Sequence, residues 1–186
     1  MDDILEEKTR QDDFSYLASL HKGCFPFLYR LNRLDQDIFH LLTTGKFKHP
    51  RIKKNFTLIG WIMDKMENIQ NHIEKKLIRL KHKLKYKRYP VDKEWKRMAE
   101  LLEILTVEQR KIMDFLKKFV TLYKISQRDQ DMEAERIKAL DVESLQSMKK
   151  YNDARLEFEK LFKDFNFTKK IELYQRDLSH LHNSIE

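Results

Sequence analysis

Apolar side chains recur along this chain in alternating steps of three and four, the spacing that lines one face of an α-helix. The first stripe falls between Phe14 and Thr44 and holds Leu20, Cys24, Phe27, Leu31, Leu34, Ile38 and Leu41. Pro26 lies inside it, just after Gly23. Proline suits a first helical turn and breaks an interior one, so a break is expected near Gly23 to Phe25. TTGKFKHPR reads as a loop, with Gly45 as a C-terminal cap. A second helix is expected from Pro50 to about Tyr89, where Pro90 ends it. Its rows are Ile59, Met66, Ile73, Leu80 and Ile62, Ile69, with the stripe moving to Leu77 and Leu84 where Lys76 and Lys83 intervene.

A third stripe begins near Asp92, a plausible N-cap, and carries Met98, Leu105, Ile112 and Phe119 beside Leu102, Leu116 and Tyr123. The fourth, from about Asp129 to Phe165, holds Ile137, Leu140, Tyr151, Ala154, Phe158, Leu161 and Phe165. A fifth continues through Phe167, Ile171, Tyr174, Leu178, Leu181 and Ile185, shifted by one residue, which predicts a break at Asn166 to Thr168. Neither Gly nor Pro occurs between Val91 and Phe165. One helix over that span would be ~110 Å long at ~1.5 Å per residue. A turn within Ser126 to Asp131, where no side chain is apolar, gives arms of similar length that can pack side by side. The expectation is an all-α, elongated antiparallel bundle of four to five long helices with coiled-coil-like packing, a single helical domain over 1–186.

Composition supports that reading. The 186 residues include only 3 Gly and 3 Pro, with 37% charged and 41% hydrophobic side chains. Residues 1–13 are acidic, a stretch expected to fray and unlike a secretory signal or transit peptide. The longest near-apolar run, Phe56 to Met63, is too short to span a bilayer. The single Cys24 permits no internal disulfide. A cytoplasmic location is the expectation.

Several chemistries are missing from the sequence. It has no HExxH, no CxxC, no EF-hand loop, no glycine-rich phosphate loop and no Glu-x-x-His pair for a di-iron bundle, so neither a metal nor a cofactor is expected. Cys24, in an apolar stripe, is expected to be a core thiol. Arg176-Asp177 followed by His182 resembles the catalytic motif of HEPN ribonucleases, an all-helical family whose Arg and His act on an RNA phosphate. The likeness covers seven residues, and Arg33 to His40 is a looser version of it. It implies a ribonuclease using Arg176 and His182; the alternative places both on the solvated face of the last helix.

Charge is the feature that bears most on function. Lys46 to Arg97 holds 17 basic and 5 acidic residues, a balance of +12, whereas the whole chain is +8, leaving −4 elsewhere. KKLIRLKHKLKYKRYP, from Lys75 to Pro90, has eight Lys or Arg and no acid. On a helical wheel Lys75, Lys76, Arg79, Lys81, Lys83, Lys85 and Arg88 surround a narrow apolar sector, and Lys87 lands on that sector. Lys93, Lys96 and Arg97 continue the charge across the turn. Tyr86, Tyr89 and Trp95 are interleaved and positioned to stack on exposed bases. The bland alternative is a solvated helix end, favoured by the macrodipole and covered by the acidic tract Asp129 to Glu135. The lead expectation is a non-enzymatic interaction protein whose basic tip, residues 75–97, engages an acidic partner, with self-association through the helical stripes also open. A nucleic-acid binder without sequence preference is the alternative.

Overall fold

The computed structural model describes the backbone of residues 2–46, 48–86, 93–126 and 134–182, and side chains within 12–46, 48–86, 93–124, 139 and 141–164. Four helices account for nearly all of it: α1 (Asp2–Thr43), α2 (Pro50–Lys85), α3 (Lys93–Ser126) and α4 (Ala134–His182). No strand occurs among the described residues. The helices pack as an all-α bundle in which α3 with α4 is the most extensive pairing.

Cross-helix contacts set the directions. Tyr16 meets His72 while Asp37 meets Asn55, so α1 and α2 run antiparallel. Lys81 pairs with Glu103 and Lys117 with Glu67, which makes α2 and α3 antiparallel. Arg97 pairs with Glu157 near the start of α3, and α4 returns beside it. The expected hairpin between α3 and α4 is therefore what forms; its turn, residues 127–133, lies outside the described residues.

Local chemistry explains the ends. Gly45 adopts φ 75°, the left-handed region open to glycine, and Lys46 N donates to Leu41 O at 2.9 Å, closing α1. Pro50 occupies the first turn of α2, and His49 caps it by accepting from Arg51 N at 3.2 Å. α2 is helical through Lys85, and Tyr86 N still reaches His82 O at 3.2 Å.

Two predicted breaks are absent. α1 runs unbroken through Gly23 and Pro26. Pro26 is exposed, as is Lys22, whose carbonyl loses the helical donor that proline lacks. On the opposite side Cys24, Leu28 and Leu31 are fully buried and hold the two halves in line. α4 likewise continues through Asn166 to Thr168, so the phase shift there does not end the helix, and four helices occur among the described residues.

The core includes the predicted rows: Ile59, Met66, Ile73 and Leu80 on α2, and Met98, Leu105, Ile112 and Phe119 on α3, are all buried. On α1 the deepest row keeps the predicted Cys24, Leu31, Ile38 and Leu41, but the positions between them move by one residue. It runs Phe14, Leu17, His21, Cys24, Leu28, Leu31, Asp35, Ile38, Leu41. Leu20, Phe27 and Leu34 flank it, only partly buried. Two polar residues thus occupy core positions that pattern alone assigned elsewhere.

Candidate functional site: the basic end of the bundle

One region of the bundle brings together α1 around Asp13 to Tyr16, the last turns of α2 and the first turns of α3. Its floor is aromatic. Trp95, in the first turn of α3, is 0% exposed and its ring lies 4.6 Å from that of Phe14. Trp95 therefore cannot serve as a stacking platform for bases; the core takes it, because Phe14 and the apolar stripes converge there. Tyr86 is 60% exposed, with the His82 ring 4.3 Å away. Tyr89 lies outside the described residues, with Lys87 and Arg88.

The predicted cations fall into two groups according to which side of their helix they occupy. Lys81, Lys83 and Arg97 are paired with acids on neighbouring helices. Lys81 reaches Glu103 on α3 at 2.6 Å, and Lys83 reaches Asp13 on α1. Arg97 holds Glu157 through two bonds, at 2.8 and 2.9 Å, and Glu100 at 3.2 Å. That fork pulls the Glu157 carboxyl below the usual carboxylate range. The remaining cations have no ion pair among the described residues: Lys75, Arg79 and Lys85 on the outer side of α2, and Lys93 and Lys96 on α3, are all exposed. Lys76 is half-buried over the Tyr16 ring, 5.4 Å from its centroid. Lys76, Arg79 and Lys83 also border a small groove of about 210 Å³ with Tyr16. Ile78, in the middle of the outer face, is 67% exposed.

The acids seen to pair with cations at this end are Asp13, Glu100, Glu103 and Glu157. Residues 129–133 are outside the described residues, and α4 begins at the opposite end of the bundle, where Asp141 meets Asp35.

A polar layer that sequence reading missed crosses the core near its middle. Thr106 Oγ1 donates to Leu102 O at 2.7 Å, which uses its only proton. The His21 Nε2 at 3.2 Å must therefore be the donor to that oxygen. Gln70 Nε2 donates to Thr106 O at 3.0 Å and to Glu74 Oε1 at 2.8 Å, and Gln109 Nε2 donates to Gln70 Oε1 at 2.7 Å. Burial holds His21 neutral by lowering its pKa to about 4, with Gln109 opposing the shift. Towards the far end, Asp35 is 5% exposed and faces Asp141 across a void of about 10 Å³ lined also by Phe115, Phe119 and Ser144. Burial first, and the Asp141 charge second, raise the Asp35 pKa to about 7.

None of these groups assembles a reaction centre. Cys24 is buried, and burial pushes its thiol pKa up, away from the thiolate a nucleophile needs. No cluster of three His, Cys, Asp or Glu able to hold a metal occurs among the described residues. Arg176 and His182 both lie on α4, with side chains outside the described residues. No described helix is long and apolar enough to cross a membrane. No family model, curated protein or solved structure matches the chain.

Proposed function

We propose that this is a non-enzymatic helical interaction protein whose basic end binds an acidic protein surface. The observation that carries the reading is the sorting of charge on α2. Lys81 and Lys83 pair with acids on neighbouring helices and Lys76 sits over the Tyr16 ring, whereas Lys75, Arg79 and Lys85 are exposed with no ion pair among the described residues. A solvated helix end ordinarily alternates acids with bases; this face does not. Ile78, 67% exposed among those cations, supplies the apolar contact that a protein interface uses beside its charged rim. The rigid Phe14–Trp95 floor supports the preorganisation of the face. Removing Trp95 from the stacking set leaves Tyr86 as the one described aromatic for bases, which weighs against a nucleic-acid groove.

The test is affinity capture with nuclease treatment, comparing the wild type with a variant carrying Lys75→Glu, Arg79→Glu and Lys85→Glu. Capture that survives nuclease and weakens by about tenfold or more in the variant supports the reading. Capture abolished by nuclease, or steep salt-dependent binding to labelled RNA or duplex DNA in fluorescence anisotropy, replaces the protein partner with a polyanionic nucleic acid.

A further inference from the structure

A second concentration of positive charge lies away from the basic end, on the outer seam between α1 and α2 near the α1–α2 loop. Arg30 and Arg33, one turn apart on α1, and Arg51, in the first turn of α2, line a groove of about 560 Å³. Asn55 forms part of its floor, 7% exposed, and donates to Asp37 Oδ2 at 2.7 Å. Asp37 is thereby held in place, with Arg51 3.9 Å away, too far for a hydrogen bond. Arg30 and Arg33 make no hydrogen bond or ion pair with any described residue. Tyr29, 53% exposed, and Leu34, partly buried, complete the walls.

We propose that this groove binds a phosphate monoester that carries a planar ring, the chemistry of a nucleoside monophosphate. Three guanidiniums against one carboxylate leave a local charge of about +2, which matches the ~−1.5 to −2 of a phosphate monoester at neutral pH. Guanidinium forks match phosphate oxygens two at a time, and all three present unused donors. The backbone at the start of α2 adds little, since Arg51 N is capped by His49 Nδ1 and Ile52 N donates to His49 O. The phosphate must therefore be held by side chains. Tyr29 and Leu34 offer the flat and apolar surface that a bare inorganic anion would not use. Asp37 accepts from a hydroxyl or amino group of the ligand. A groove of about 560 Å³ is of the size that small ligands occupy.

Isothermal titration of the full chain with AMP, adenosine and inorganic phosphate tests the assignment. AMP binds, adenosine does not, and phosphate binds more weakly than AMP. Arg33→Gln and Arg51→Gln each weaken AMP by about tenfold or more, the loss of a charged hydrogen-bonding partner. Tyr29→Ala erases the preference for AMP over phosphate. The Lys75, Arg79, Lys85 triple variant, altered at the other end of the bundle, binds AMP as the wild type does. All these side chains are exposed, so helical circular dichroism stays constant and separates binding from unfolding. Failure of AMP to bind at low ionic strength overturns the proposal. Equal binding of AMP and phosphate to the wild type, or loss of AMP in the triple variant but not in Arg33→Gln, does the same.

Discussion

Asp35→Asn is expected to change how the stability of the bundle responds to pH, and the sign follows from two buried groups that oppose each other. Asp35 has its pKa raised from 3.8 to about 7. Between those values the folded chain holds a proton that the unfolded chain releases, so this group's stabilisation is present below about pH 4 and lost as pH rises through about 7. Roughly three decades at ~1.4 kcal/mol each make the loss ~4 kcal/mol. His21 works in the other direction. Its pKa falls from 6.5 to about 4, so its stabilisation is present above about 6.5 and lost as pH drops through about 4, a change of ~3 kcal/mol. Over the shared window the two slopes nearly cancel in the wild type. Replacing Asp35 by Asn keeps the shape and removes the titration. The difference in unfolding free energy, variant minus wild type, should then grow by ~4 kcal/mol from about pH 4 to about pH 8. Urea unfolding followed by circular dichroism across that range measures it. The difference also cancels the contributions of Glu67, Glu74 and Glu157, whose carboxyls titrate lower and are present in both chains. Asp141→Asn should give a smaller change of the same sign, since the Asp141 charge is the second cause after burial. Parallel pH profiles for wild type and Asp35→Asn would refute the burial argument.

Other outcomes follow from the packing. Trp95→Ala empties a fully buried site against Phe14 and should cost ~3–5 kcal/mol by thermal or urea unfolding; a loss under ~1 kcal/mol would mean the ring is not in the core. Pro26→Ala restores a backbone donor to the Lys22 carbonyl within a continuous α1 and should stabilise by ~1–3 kcal/mol, whereas a helix broken at that point would gain nothing. Arg110 joins Glu67 at 2.7 Å, Glu74 at 2.9 Å and Asn71 at 2.9 Å, so Arg110→Ala should destabilise by ~1–2 kcal/mol at low salt and less at high salt. In the same variant the Glu74 carboxyl, held low chiefly by Arg110, should titrate closer to its ordinary range, which NMR can follow.

Where the folded arrangement departs from the pattern along the chain, each departure has a partner distant in sequence. Scoring apolar residues could not find His21 or Asp35 in the core, because their burial rests on Thr106 in one case and on α4 in the other. Trp95, placed among lysines, looked like a platform for bases until Phe14, far away in sequence, closed over it. Lys81, Lys83 and Arg97 looked equivalent to Lys75 and Lys85; only the acids on α1, α3 and α4 tell them apart. Arg30, Arg33 and Arg51 formed no recognisable cluster in the sequence, since two helices on either side of a loop supply them.

What the sequence determined by itself was what short-range physics controls: the three-four spacing that makes long helices, the Gly45 and Pro50 boundaries, and the apolar rows from Ile59 to Leu80 and Met98 to Phe119. Helical periodicity and capping act within a few residues, so they are legible in one dimension. The tertiary structure alone decided that α1 survives Pro26, which cations stay unpaired, and which polar groups lose their water. Those outcomes depend on what packs across each helix, and no local pattern encodes the neighbour.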